Sequence, residues 1–127
     1  GVGGKTITGS HGIPVTCDGV LEEMDIQNPE GLLLPGGMPG TTNLYESKKL
    51  CELLKKGAEE GCLLGAICAA PSVLGKLGLL QDKKAICYPG FEGELTGATV
   101  VDAPAVVCGN IITGKGLWLC PGKLLKG

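Results

Sequence analysis

Cys68 is the residue of this sequence with the strongest case for chemistry. It lies in the segment LLGAICAAP (63–71), where a short apolar run meets the start of a predicted helix. A nucleophile on such a strand-to-helix elbow needs small residues two positions before and after it, and Ala66 and Ala70 meet that need. The free amide hydrogens of the following helix favour a thiolate there. The segment predicts a cysteine nucleophile, and the alternative is a buried cysteine that merely ends a strand.

A second segment, LPGGMPG (34–40), ends an earlier apolar run with two glycines. The carboxyl ends of neighbouring parallel strands share one crevice, so the amides of Gly36 and Gly37 are expected to face Cys68. Backbone amides in that position hold an oxyanion or another anion. Taken alone, a Pro-Gly-Gly turn is usually only a turn.

The elements around these segments follow the hydrophobic pattern. Residues 47–60 carry a helical apolar stripe, with Ser47 as N-cap and Gly61 as the stop, and a second helix is predicted over 70–77. Asp18 is expected to cap a short helical turn. Leu32–Leu34 is expected to be buried on both faces of a sheet. The predicted strands are 5–8, 13–16, 32–34, 62–67, 85–87, 99–101, 105–108 and 111–113. Strands alternating with helices predict an α/β sandwich with a mostly parallel sheet.

Composition narrows the possible partners. The 127 residues predict one domain, and the 43% hydrophobic content argues against disorder. The sequence has four aromatic residues, a net charge of −2 and lysine for all 11 basic residues. Nucleic acid and anionic membranes are therefore excluded as expected partners. No apolar run reaches the length of a membrane span, and the first ten residues do not resemble a signal peptide.

The seven cysteines are scattered and form no Cys-x-x-Cys pair, and there is one histidine. This pattern predicts reduced thiols in a cytoplasmic protein, with no metal site and no disulfide framework. His11 is a candidate base for Cys68, although a solvated loop residue is the more common outcome. Cys17 and Cys87 are weaker candidates for a resolving thiol beside Cys68.

The glycine segment (34–40) and the cysteine segment (63–71), in this order and at this spacing, resemble the ThiJ/PfpI family. Within that family they are most similar to the branch of the parkinsonism-associated protein deglycase. Three further segments support the resemblance, which covers about residues 4–116: TGSHGI (8–13), YPG (88–90) and GNIIT (109–113). It implies a flavodoxin-like three-layer sandwich, a homodimer, no cofactor and a reactive elbow cysteine at Cys68. Activities attributed to the family are glyoxalase, deglycase, cysteine-based oxidative-stress sensing and chaperone-like holding.

The resemblance also assigns roles to single positions. Gly36, Gly37 and Ala69 match backbone that holds an anion beside the cysteine, and Ala69 replaces the histidine of the protease-like branch. His11 and Tyr88 match positions near the pocket or the dimer interface, with Tyr88 where the deglycase branch often has histidine. The family's N-terminal strand and helix, which carry a glutamate beside the cysteine, precede this sequence. LWLCPG (117–122) interrupts the family's C-terminal helix.

Three functions follow as hypotheses for a single domain over residues 1–127, in which the resemblance implies that both ends are cut or altered or that the sequence is incompletely recorded. The first is a cofactor-free glyoxalase or deglycase in which Cys68 attacks a small dicarbonyl. The second is a redox-sensing or chaperone-like stress protein that uses the same cysteine. The third is an inert fragment of the family domain.

Overall fold

The computed structural model describes residues 1–116, which form short strands and three helices. The strands in chain order are β1 (Thr6–Thr8), β2 (Pro14–Thr16), β3 (Gly31–Leu34), β4 (Leu63–Ile67), β5 (Lys84–Ala85), β6 (Thr99–Val100), β7 (Ala105–Cys108) and β8 (Ile111–Gly114). The helices are α1 (Gly40–Glu46), α2 (Lys48–Glu60) and α3 (Pro71–Lys76), and single 3-10 turns cover Leu21–Glu23 and Glu92–Glu94.

The main sheet has the strand order β3-β4-β8-β7. β3, β4 and β8 are parallel, and β7 returns antiparallel beside β8 through the turn at Gly109 and Asn110. β1 and β2 form a separate antiparallel hairpin, and β5 pairs in parallel with β6. The predicted mostly parallel sheet is therefore confirmed, and it brings the carboxyl ends of β3, β4 and β8 to one edge.

Helix α2 forms where its stripe and caps predicted it. The hydroxyl of Ser47 accepts a hydrogen bond from the amide of Leu50, and Gly61 ends the helix with a φ of 78°. Leu50 and Leu54 point into the core, where they meet Leu64 of β4 and Leu74 of α3. Burying each such leucine contributes about 1.5–3 kcal/mol, so the apolar face holds this helix on the sheet.

Only one face of the main sheet is covered by these helices. Leu64 and Ala66 of β4 are buried under α2 and α3, whereas Leu63 and Ile67, which point the other way, are each 42% exposed. The strand registers align a row of residues across this open face: Leu33, Gly65, Ile112 and Val107. The expectation that Leu32–Leu34 is buried on both faces is wrong, because Leu33 is 76% exposed in the edge strand β3.

Two other local predictions need correction. Asp18 does not cap the turn at Leu21–Glu23, because Val20 occupies the N-cap position and supplies no side-chain hydrogen bond. The strand expected over 85–87 ends at Ala85. Helix α1, which begins directly after the Pro-Gly-Gly segment, was not predicted. The interruption predicted at 117–122 lies outside the described residues.

An open, largely apolar groove of about 880 Å³ separates the β1-β2 hairpin from β3 and α1. Ile7, Ile13 and Val15 line it from the hairpin, and Leu33 and Leu44 line it from the other side. Among residues 1–116, no helix is long and apolar enough to cross a bilayer.

Candidate functional site

Cys68 occupies the turn between β4 and α3 in a left-handed backbone conformation, with a φ of 65°. A side chain in that conformation costs roughly 1–2 kcal/mol, so the surrounding structure must hold it in place. The amide of Cys68 donates to the carbonyl of Gly114 (3.0 Å), and its carbonyl accepts from the amide of Tyr88 (2.7 Å). The predicted elbow is thus fastened on one side to β8 and on the other to the segment after β5.

Two glycines, which have no side chains, make room for the side chain of Cys68. A Cβ built on Gly36 would lie 2.5 Å from the Cβ of Cys68 and 2.8 Å from the carbonyl oxygen of Ile67. A Cβ on Gly116 would lie 3.1 Å from the Cβ of Cys68 and 3.5 Å from its sulfur. The end of β3 and the segment after β8 therefore place backbone without side chains against the cysteine, which is half-buried.

The backbone of Gly36, Gly37 and Ala69 was predicted to hold an anion. Of these three residues, Gly36 and Ala69 lie next to each other beside Cys68. A Cβ on Gly36 would come within 3.3 Å of the Ala69 nitrogen. Ala69 is 2% exposed, and its carbonyl accepts the hydroxyl of Ser72 at 2.6 Å. The peptide that carries the Ala69 carbonyl is therefore fixed by α3.

Gly37 has a φ of 91°, a conformation that favours glycine. Its carbonyl accepts two hydrogen bonds from Thr41, one from the amide (2.9 Å) and one from the hydroxyl (2.8 Å). Because both hydrogen bonds come from a residue of α1, they hold the Gly36–Gly37 turn against the first turn of that helix. The role of the Gly37 amide as an anion donor stays a prediction.

His11 and Tyr88 lie in different surroundings. His11 is exposed in the β1-β2 turn, where its Nδ1 and the hydroxyl of Ser10 are 3.3 Å apart, and it lines the same groove as Gly36. The described lining of that groove does not include Cys68. Tyr88 is half-buried, directly adjacent to the elbow through its amide, and its ring meets that of Phe91 edge-on at 6.5 Å.

Cys87 precedes Tyr88 and is fully buried. Burial raises the pKa of its thiol to about 11, with a smaller contribution from Glu92. The amide of Phe91 opposes the shift by donating to the thiol, and Cys68 adds a small further increase. Cys87 is therefore a protonated thiol whose environment includes the elbow cysteine.

An ion pair lies at this edge. Lys115, which follows Gly114, donates to Asp102 at 2.9 Å. Among residues 1–116, no three His, Cys, Asp or Glu side chains converge in a way that could hold a metal ion.

The sequence pattern missed three contributors to this site. Gly114 and Gly116 belong to the stretch TGKG (113–116) at the end of a strand. These two glycines were a sequence signal that the backbone there lies close to another segment, here the one that carries Ile67 and Cys68. Thr41 gave no such signal, because its role depends on the turn that brings Gly37 back to α1.

Comparisons with known proteins give consistent results. A family model described as the DJ-1/PfpI family matches residues 1–120. Protein DJ-1 homolog B of Arabidopsis thaliana is 38% identical over 118 residues, which are 91% of this chain and 26% of that protein. A deglycase of Pyrococcus abyssi is 37% identical over 121 residues, which are 93% of this chain and 69% of that protein. The chain thus spans about a quarter of the plant relative and about two thirds of the archaeal one.

A solved structure of oxidized DJ-1 from Toxoplasma gondii superposes with a TM-score of 0.86 at 30% identity. The match covers 98% of this chain and 68% of that one. It confirms the predicted α/β fold class.

Proposed function

The chain belongs to the DJ-1/PfpI family, as the resemblance to the ThiJ/PfpI family predicted, and we propose that it is a deglycase-type enzyme whose nucleophile is Cys68. Relatives named as deglycases, such as the one from Pyrococcus abyssi, support this type of function. The observation that carries the proposal is the elbow itself, a half-buried cysteine at a φ of 65° with bare glycine backbone on two sides.

The proposed substrate is a small reactive dicarbonyl such as methylglyoxal, or its adduct with an amine or a thiol. The backbone of Gly36 and of Gly116 bounds the space beside Cys68, which favours a compact carbonyl compound as the substrate. The chain's net charge of −2 suits an uncharged substrate better than a polyanion.

In the first proposed step, the Cys68 thiolate attacks the aldehyde carbon and forms a hemithioacetal. The carbonyl oxygen becomes an oxyanion, and the amides of Ala69 and Gly37 are its proposed donors, with the Gly36 backbone completing the wall. Ala69 is the better supported of the two donors, since its nitrogen lies at the point where Gly36 meets the elbow.

A general base then moves a proton between the two former carbonyl carbons, which converts the hemithioacetal into a thioester. Water hydrolyses the thioester, releases lactate and restores Cys68. For an adduct, the corresponding outcome is release of the unmodified amine or thiol. No cofactor enters this sequence, and a homodimer in the cytoplasm is the proposed working form.

The test measures lactate formed from methylglyoxal by the wild-type chain and by Cys68→Ala. We expect the rate to fall at least about 100-fold, because removing a nucleophile leaves only the background of binding and backbone donors. Equal rates in the two proteins would refute the proposal.

Cys62→Ala is the matched control. Cys62 is a buried thiol whose pKa is raised by burial, and it lies before β4 rather than after it. We expect this variant to keep wild-type turnover, so a loss confined to Cys68→Ala identifies the elbow rather than a general effect of losing a thiol.

A further inference from the structure

A hydrogen bond fixes the separation of two cysteine backbones. The amide of Tyr88 donates to the carbonyl of Cys68 at 2.7 Å. Because a trans peptide puts the preceding Cα on the same side as the N–H, the Cα of Cys87 lies roughly 5–7 Å from the Cα of Cys68. Disulfides join Cα atoms that are about 4.4–6.8 Å apart. The two residues are therefore at bridging distance.

The two thiols also share one environment. The pKa of the Cys87 thiol responds both to the Phe91 amide and to Cys68, so both residues lie near this thiol. A charge on Cys68 adds a small increase to the pKa of Cys87. The hydrogen bond from Tyr88 to Cys68 thus places the segment after β5, which carries Cys87, beside the elbow.

We propose that Cys87 is the resolving thiol of Cys68 and that mild oxidation by hydrogen peroxide joins the two in a disulfide. This inference rests on the proposed reactivity of Cys68. Cys68 is half-buried and open to peroxide, whereas Cys87 is fully buried and is reached only from within the protein.

The reaction has two steps. The sulfur of Cys68 attacks one oxygen of hydrogen peroxide and the O–O bond breaks, giving the sulfenic acid of Cys68 and water. The sulfur of Cys87 then attacks the sulfur of Cys68, the S–O bond breaks, and the thiol proton leaves with the oxygen as a second water. The cysteine pair is oxidised by two electrons and peroxide is reduced by two.

Two of the other described thiols, Cys62 and Cys108, lie at the opposite end of the sheet from Cys68. Cys62 lies before β4 and Cys68 after it, so about 20 Å of extended strand separates them. Cys108 pairs with Ile111 at the start of β8, which is also the far end of the sheet. Cys17 follows the hairpin strand β2, and Cys51 lies in α2.

The expected consequence is protection of Cys68 from irreversible oxidation. Sulfenic acid that is trapped as a disulfide can be reduced by thiols, whereas further oxidation to sulfinic acid is not reversed that way. Because Cys87 stays protonated at neutral pH, its attack is slower than that of an ionised thiol, and proximity has to compensate.

The experiment treats the full chain with about one equivalent of hydrogen peroxide at neutral pH, blocks free thiols with N-ethylmaleimide and maps the peptides. Trypsin leaves Cys62 and Cys68 together in 57–76 and Cys87 and Cys108 together in 85–115. Chymotrypsin cleaves between the first two, after Leu63 or Leu64, and a glutamate-specific protease cleaves between the second two, after Glu92 or Glu94. We expect a linked peptide that has lost two hydrogens and joins Cys68 to Cys87.

Two variants sharpen the result. In Cys87→Ala, Cys68 is expected to gain two oxygens as sulfinic acid at least about tenfold more than in the wild type. Cys62→Ala, which removes the other buried thiol with a raised pKa, is expected to form the same link as the wild type. Wild-type Cys68 found as sulfinic acid with Cys87 unmodified, or linked to another cysteine, would overturn the proposal without needing any variant.

The lactate assay separates this inference from the proposed function. If lactate forms but Cys68 and Cys87 do not become linked, the proposal of a resolving thiol is refuted and the proposed enzymatic function stands. If the link forms but lactate does not, the proposed enzymatic function is refuted and the proposal of a resolving thiol stands. A Cys68 that reacts with neither reagent contradicts both.

Discussion

Gly36 and Cys68 approach so closely that a Cβ on Gly36 would stand 2.5 Å from the Cβ of Cys68. Real Cβ atoms do not come that near one another, and the neighbouring atoms at Gly36 include the backbone of Ile67 and Ala69. The end of β3 thus sets the position of the elbow at the end of β4. The reactive thiol depends on a residue that has no side chain.

We therefore predict that Gly36→Ala lowers the free energy of unfolding by about 1–3 kcal/mol and displaces the elbow. Iodoacetamide labelling of Cys68 at neutral pH should slow at least about tenfold, because the thiol loses its fixed surroundings. Gly40→Ala is the control, since a Cβ there meets nothing within 4 Å. Equal labelling of the two variants would show that Gly36 does not set the reactivity.

The backbone of Cys68 gives a second prediction. At a φ of 65° a side chain is disfavoured, so Cys68→Gly should be more stable to urea than Cys68→Ala by about 1 kcal/mol. Both variants lack the thiol, so the comparison isolates the conformation of the turn. An alanine variant as stable as the glycine variant would contradict the left-handed turn.

Thr41 tests the anchoring of the glycine turn. Its hydroxyl donates to the carbonyl of Gly37 at 2.8 Å and is 4% exposed. Thr41→Val keeps the shape and removes this bond, and we expect a loss of about 1 kcal/mol, because the Thr41 amide still satisfies the carbonyl. Thr42→Val, at an exposed position in the same helix, should change the free energy of unfolding by less than about 0.5 kcal/mol.

Cys87 predicts a dependence of stability on alkaline pH. Its pKa is raised from the ordinary value of 9.0 to about 11 in the folded chain, so the folded state keeps the thiol proton more tightly than the unfolded state does. That stabilisation is complete below about pH 9 and is lost as the pH rises through 11, at up to about 1.4 kcal/mol per pH unit.

Urea denaturation of the wild type and of Cys87→Ala at about pH 8 and about pH 10.5 measures this contribution. Lysine and tyrosine titrate in both proteins, so the difference between their pH slopes belongs to Cys87. The wild type should lose more stability than the variant over this interval. Parallel losses would mean that the thiol ionises as easily when folded as when unfolded.

Local sequence signals predicted the elements that are stabilised by their own residues. Ser47, Gly61 and the apolar stripe between them define α2, and the alternation of apolar runs and breaks defines β3, β4 and β8. The elbow at Cys68 was predicted for the same reason, because Ala66 and Ala70 meet a local steric requirement.

Features that depend on distant contacts were not predictable in this way. Helix α1 begins with Gly-Thr-Thr-Asn, which are weak helix formers, and no side chain caps it. Its support comes from the Gly37 carbonyl and from Leu44 packing against the core. The exposure of Leu33 and the contact of Gly116 with Cys68 depend on strand order, which a single strand's sequence does not encode.

We expect the open face of the main sheet to govern the association of the protein in solution. Leu33 and Val107 are 76% and 70% exposed, and the strand residues aligned between them, Gly65 and Ile112, carry no charge. With a net charge of −2, electrostatic repulsion between molecules is weak. Sulfate should therefore promote association at this face, and added acidic residues at 33 and 107 should keep the protein dispersed. Colloidal stability would then be set by a surface that lies opposite the helices and takes no part in the chemistry at Cys68.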